Sequence, residues 1–178
     1  MSCTALLLID IQNAVYSDSL YACGRFTENV KRLLNEARKS NTEVIYVRHD
    51  DGEGTPLSRG NDGFEICDFI KPKLNEMIFD KNVNSPFRDS GLSEYLISKK
   101  IDRIIVIGLQ TEYCIDATVK CAFERGFEVV VPEYSNSTFD NDFMTGEQSY
   151  HYYNGSIWKN RYAMCISIDE AVNMIRES

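Results

Sequence analysis

The chain has 178 residues with 19 basic against 27 acidic side chains, and its net charge of −8 and pI near 4.8 disfavour broad attraction to phosphate backbones or anionic membranes. Nucleic acid and membrane are therefore not expected as partners. A content of 43% hydrophobic and 26% charged residues excludes a mainly disordered chain, and the length suits one globular domain over residues 1–178.

The first apolar run, Ala5–Ile9, starts without a basic leader and is far too short for a signal segment or a membrane span, which points to a cytoplasmic location. Similar runs follow at Val44–Val47, Met77–Phe79, Ile104–Ile107, Val129–Val131 and Ala163–Ile166, each suited to a strand buried on both faces. Amphipathic segments near Val30–Ala37, Leu92–Ile97, Ile115–Phe123 and Ala171–Ile175 predict helices between them. The repeated β-α order predicts an α/β fold, a Rossmann-like three-layer sandwich around a mostly parallel six-stranded sheet. Ser167-Ile-Asp-Glu170 has the spacing of a capping box and marks the start of the last helix. The glycine-rich stretch Asp50–Gly63 predicts a long exposed loop able to cover a site, and Asn136–Gly146 a second polar excursion.

In an open parallel sheet, ligands bind beyond the carboxyl ends of the strands. Asp10 ends the first strand, Lys81 follows the third, and Gly108–Cys114 joins the fourth to its helix, so three reactive side chains are expected at one rim. The six cysteines are scattered without C-x-x-C pairing and are read as free thiols. Cys114 is distinct because it sits at a predicted helix start, where unpaired amides and the positive dipole end favour a thiolate and can bind an oxyanion. Its plain alternative is a buried structural cysteine. Asp10 suits a group that orients or deprotonates a nucleophile, or else an N-cap; Lys81 suits a holder of developing negative charge, or else a solvated lysine.

Gln12, Tyr16, His49, Phe87, Leu109, Gln110 and Tyr113 flank these segments and are candidates for lining a pocket, although each equally suits packing. Ten tyrosines are many to bury, so Tyr150, Tyr152, Tyr153 and Trp158 are read as a surface for self-association into a homo-oligomer.

Together, Leu7-Leu-Ile-Asp-Ile-Gln-Asn13, Asp80-Lys-Asn-Val-Asn-Ser-Pro-Phe87 and Gly108-Leu-Gln-Thr-Glu-Tyr-Cys114 resemble the isochorismatase-like cysteine hydrolases, a superfamily that includes nicotinamidases and N-carbamoylsarcosine amidase. The resemblance runs from about Ala5 into the final helix. It implies hydrolysis of a small-molecule amide or related C–N bond through a thioester, with Cys114 attacking, Asp10 moving the proton and Lys81 holding the charged site together. It also implies an oxyanion hole from the Gln110 and Cys114 amides and a cis peptide between Leu109 and Gln110. Nicotinamidases carry an Asp-x-His metal pattern with a further histidine. This chain has only His49 and His151, so neither a catalytic metal nor a cofactor is expected. Isochorismatases proper lack the cysteine, so Cys114 argues against their vinyl-ether chemistry.

Other classes fit less well. A dinucleotide-binding oxidoreductase needs a glycine-rich turn after the first strand, and Asp10-Ile-Gln-Asn-Ala14 contains no glycine. A cysteine phosphatase needs arginine six residues after its cysteine, where this chain has Lys120. The alternative that remains is a non-enzymatic thiol redox sensor or small-ligand-binding module using Cys114.

Overall fold

β1 (Thr4–Ile9) is buried along its whole length and divides its side chains between two cores, Leu6 and Leu8 on one face, Ala5, Leu7 and Ile9 on the other. This is the period of two of a strand covered on both sides. The computed structural model describes residues 3–177. The chain continues through α1 (Cys23–Lys39), β2 (Glu43–His49), β3 (Met77–Lys81), α2 (Leu92–Ser98), β4 (Arg103–Leu109), α3 (Asp116–Glu124) and β5 (Glu128–Pro132). It ends through β6 (Asn136–Ser137), α4 (Gly146–Tyr152), β7 (Met164–Ile166) and α5 (Ile168–Arg176).

The spacing Phe26, Val30, Leu33, Leu34, Ala37 gives α1 one apolar stripe, which packs with Ala171, Val172 and Ile175 of α5 against the first core. Leu92 and Leu96 of α2 and Val119 and Ala122 of α3 cover the second core. The result is the three-layer arrangement expected from the sequence, with strand order β3-β2-β1-β4-β5-β7 and parallel pairing throughout.

Two details of the sheet differ from expectation. The sheet has a seventh strand, β6, whose two residues pair with Gly108 and Leu109 of β4. β3 is not buried on both faces: it lies at the sheet edge, and Met77 and Ile78 are exposed. α4 follows the polar excursion expected over Asn136–Gly146 and carries Tyr150 and Tyr152. Capping boxes at Thr145/Gln148 and Ser167/Glu170 open α4 and α5. Tyr150 and Trp158 are buried within the chain, so the aromatic surface read from the sequence shrinks to Tyr152 and part of Tyr153. All six cysteines are free thiols, and no helix among the described residues is long and apolar enough to cross a membrane.

Strand order reverses between β1 and β4, the switch point at which open α/β sheets bind ligands. The two strands approach very closely there. A Cβ on Gly108 (φ +133°) would lie 2.0 Å from the Ile9 carbonyl oxygen, so only glycine permits this contact.

Candidate active site

Each reactive side chain is set by a strand end. Asp10 leaves β1 with a φ of 52°, and its amide donates to the Val47 carbonyl at 3.0 Å, which fixes it against β2. The β2/β3 register places His49 opposite Lys81. β4 runs through Gln110 into a π-helical turn, Thr111–Ile115, that carries Cys114. The Leu109–Gln110 peptide is cis, as the resemblance implied. Below the turn, the Thr111 hydroxyl donates to Asn136 Oδ1 at 2.8 Å, and Asn136 Nδ2 donates to Asn154 Oδ1 at 2.9 Å. These buried bonds tie the Cys114 turn to β6 and to the segment following α4.

Lys81 Nζ is the hub. It donates to Asp10 Oδ2 at 2.7 Å, His49 Nδ1 at 2.6 Å and Cys114 Sγ at 3.3 Å, which uses all three ammonium protons. His49 must then accept through Nδ1 and carry its proton on Nε2, which faces Asp51 Oδ1 at 2.9 Å. Cys114 Sγ also lies 3.8 Å from both His49 Nδ1 and Asn84 Oδ1. The buried Asp10 Oδ1 has no hydrogen-bond partner.

Burial raises the Asp10 carboxyl above the usual carboxylate range, against the opposing pull of the Lys81 charge. Burial, followed by the Asp10 charge, pushes the Cys114 thiol up to about 12 despite Lys81. At neutral pH Cys114 is therefore a thiol. Desolvation by burial is the largest influence on this thiol and opposes the thiolate expected of a helix start.

A pocket of about 200 Å³ opens over this cluster. Of the expected residues, Asp10, His49, Leu109, Gln110, Tyr113 and Cys114 line it; Val15, Asp51, Leu57 and Asn84 join them. The loop expected to cover a site does so through Asp51 and Leu57. Three candidate lining residues lie elsewhere. Gln12 is fully buried, its Nε2 donating to the His49 and Phe64 carbonyls at 3.0 and 2.9 Å while its Oε1 accepts from the His49 amide at 2.7 Å. It braces His49 from behind. Tyr16 shares a hydrogen bond with the Thr27 hydroxyl at 2.9 Å and packs on Phe69. Phe87 is buried against Phe127 and beneath the Arg125 guanidinium.

Asp10, His49 and Cys114 present ligand-type atoms within 4.8 Å of one another, the one such group among the described residues. Lys81 Nζ bonds to all three of these side chains. A metal ion would have to compete with this ammonium for the same three atoms, so the donor set fits the lysine and not an ion.

The isochorismatase domain profile matches residues 4–147. YrdC, an isochorismatase family protein of Bacillus subtilis, is 26% identical over 177 residues, covering 95% of this chain and 94% of its own. Nicotinamidase 3 of Arabidopsis thaliana is 29% identical over 153 residues, covering 78% of this chain and 75% of its own. A crystal structure assigned to an isochorismatase hydrolase from Oleispira antarctica superposes with a TM-score of 0.90 at 28% identity, over 97% of each chain. With the fold, the switch-point pocket and a profile match over most of its length, the chain belongs to the isochorismatase family and is a hydrolase.

Proposed function

We propose that this hydrolase cleaves a small carboxamide or related C–N bond through a thioester on Cys114. The observation that carries the reading is Lys81 Nζ bonded at once to Asp10, His49 and Cys114. Because the resting sulfur is protonated, its attack needs a base, and the raised Asp10 carboxyl suits that task. Asp10 takes the thiol proton as sulfur bonds to the carbonyl carbon. It then returns the proton to the departing nitrogen as the C–N bond breaks. Water, deprotonated by Asp10, attacks the thioester; the C–S bond breaks as the acid forms, and Asp10 returns the proton to the departing Cys114 sulfur, restoring thiol and carboxylate. Lys81 stays charged throughout and offsets the negative charge passing between carboxylate and sulfur. The Gln110 and Cys114 amides, at the opening of the π-helical turn where helical amides lack internal partners, would bind the oxyanion.

The likeness to a nicotinamidase makes carboxamides the first compounds to try. A redox sensor fits less well, since sensor thiols are exposed and of low pKa, whereas Cys114 is 8% exposed and pushed up to about 12. The test is ammonia or amine release from a panel of small amides, ureides and carbamoyl compounds, with Cys114→Ala as the blank and mass spectrometry of the acyl-enzyme. Turnover that persists in Cys114→Ala, or that proceeds in wild type with no acyl adduct on any quench, overturns the mechanism.

A further inference from the structure

We propose that this pocket, taken as the site of that hydrolysis, favours a cationic amide over a neutral one and turns carboxylates away, with Asp51 setting the preference. Among its lining residues there is no lysine or arginine, while Asp10 and Asp51 are both present. Lys81 lies beneath, and its three protons are committed to Asp10, His49 and Cys114, so none remains for a substrate carboxylate. Arg59, on the loop that supplies Asp51 and Leu57, is bonded to Asp50 Oδ2 at 3.1 Å and Asp80 Oδ2 at 3.0 Å. It lines a neighbouring depression with Lys81, Asn82 and Arg88, outside the pocket over Cys114.

The Asp10 and Lys81 charges cancel, Cys114 is a neutral thiol, and His49 with its proton on Nε2 is neutral. One uncompensated negative charge remains, on Asp51. The polar atoms near the sulfur point the same way. Asn84 Oδ1 lies 3.8 Å from Sγ, and the buried Asp10 Oδ1 lacks any partner; both are acceptors. A ligand that brings N–H donors satisfies them, and one that brings carboxylate oxygens cannot. Val15, Leu57, Leu109 and Tyr113 supply apolar wall, and the pocket's 200 Å³ falls below the ~300–1,000 Å³ typical of drug-sized ligands. The amide it holds is small.

Asp51 keeps half its side chain in solvent, so its field is partly screened and its influence falls with salt. This predicts a discrimination of about tenfold between single charges of opposite sign, the factor that corresponds to ~1.4 kcal/mol.

The test uses Cys114 itself as the reporter. Methyl, 2-aminoethyl and 2-sulfonatoethyl methanethiosulfonates are respectively neutral, cationic and anionic. Each transfers its alkylthio group to a cysteine sulfur, forming a disulfide as methanesulfinate departs and the thiol proton is lost. Peptide mapping gives the rate at Cys114, with exposed Cys3 of the same molecule as the reference. The expected cation-to-anion rate ratio at Cys114 is about tenfold above that at Cys3, shrinking as salt is added. Asp51→Asn keeps an oxygen for the His49 Nε2–H and removes the charge, and should bring the two ratios within about threefold of each other. A purely structural lesion would slow all three reagents alike. A wild-type ratio at Cys114 equal to or below that at Cys3, or a ratio unmoved by Asp51→Asn, overturns the charge preference and leaves the hydrolase reading standing. Modification of Cys3 with Cys114 inert to all three reagents overturns the nucleophile reading and this inference with it.

Discussion

Lys81→Met tests the centre of the site, because it keeps much of the side-chain volume and removes the one cation. The Lys81 side chain is 0% exposed and that of Asp10 3%, so the variant strands a carboxyl in the interior without its cation. Breaking a buried pair from one side costs about 3–5 kcal/mol. The pH dependence follows from the Asp10 carboxyl. Its folded value is already raised, and Lys81 is the largest influence holding it down, so the substitution raises it further. Below pH ~4 the carboxyl is protonated in both the folded and unfolded chain, and the missing charge costs little. As pH climbs from there, the unfolded chain releases the proton and the folded chain keeps it. Wild type and variant lose stability in parallel until the wild-type Asp10 carboxyl ionises; above that pH the variant alone goes on losing about 1.36 kcal/mol per unit until its own, higher value is reached. The gap between the two proteins therefore widens toward the several kcal/mol expected for a buried pair broken from one side.

Urea melts of wild type and Lys81→Met between pH 4.5 and 8 should therefore diverge with rising pH. The double variant Asp10→Asn/Lys81→Met, which removes both charges, should return to within about 1 kcal/mol of wild type and lose the divergence. A stability loss in Lys81→Met that is the same at every pH would refute the assignment of the two groups as a buried ion pair.

Gln12→Leu should destabilise by about 2–5 kcal/mol in urea melts, since it leaves the His49 amide and the His49 and Phe64 carbonyls without their partner. Gly108→Ala drives a methyl to 2.0 Å from the Ile9 carbonyl; we expect a cost of about 3 kcal/mol, read as a fall of roughly 6–12 °C in Tm. Prolonged dialysis against EDTA should leave turnover unchanged, because Lys81 bonds to each group that could ligate an ion; activity restored only by added zinc, iron or manganese would show otherwise. With Asp10 as base, kcat/KM should fall as pH drops through its raised pKa, so the acid limb of the profile lies above the range of an ordinary aspartate and shifts upward if the Lys81 charge is removed.

The strands were legible because burial on both faces leaves a local signature. Leu6-Leu-Leu-Ile9 and Ile104–Ile107 are apolar at every position, whatever their neighbours. β3 reads alike in sequence, yet its edge position leaves Met77 and Ile78 exposed, and edge position belongs to the topology rather than to the run itself. The segment from Asn136 to Trp158 was the least legible. Asn136 and Asn154 are polar and would be placed at the surface by composition, but they are buried through hydrogen bonds to partners up to 25 residues away. One local signal was available there: Thr145-x-x-Gln148 has the capping-box spacing that opens α4.

The site shows the same division between local and tertiary information. Asp10, Lys81 and Cys114 are legible as candidates through their strand-end positions and the family resemblance. Gln12 was misplaced because adjacency to Asp10 says nothing of which way a side chain turns once the strand has ended, and its amide turns back onto His49 and Phe64. Asp51 was passed over because two residues beyond a strand exit an aspartate is ordinarily solvated. Its place at the pocket depends on His49, and that of His49 on Lys81, through the β2/β3 register. Cys114 reaches the same ammonium from β4 only because Gly108 lets that strand close on Ile9. Four side chains that are each unremarkable in sequence thus acquire a common charge balance from two backbone facts, a register and a missing Cβ. Substitutions at those backbone positions should therefore disturb the site as strongly as substitutions of the reactive groups themselves.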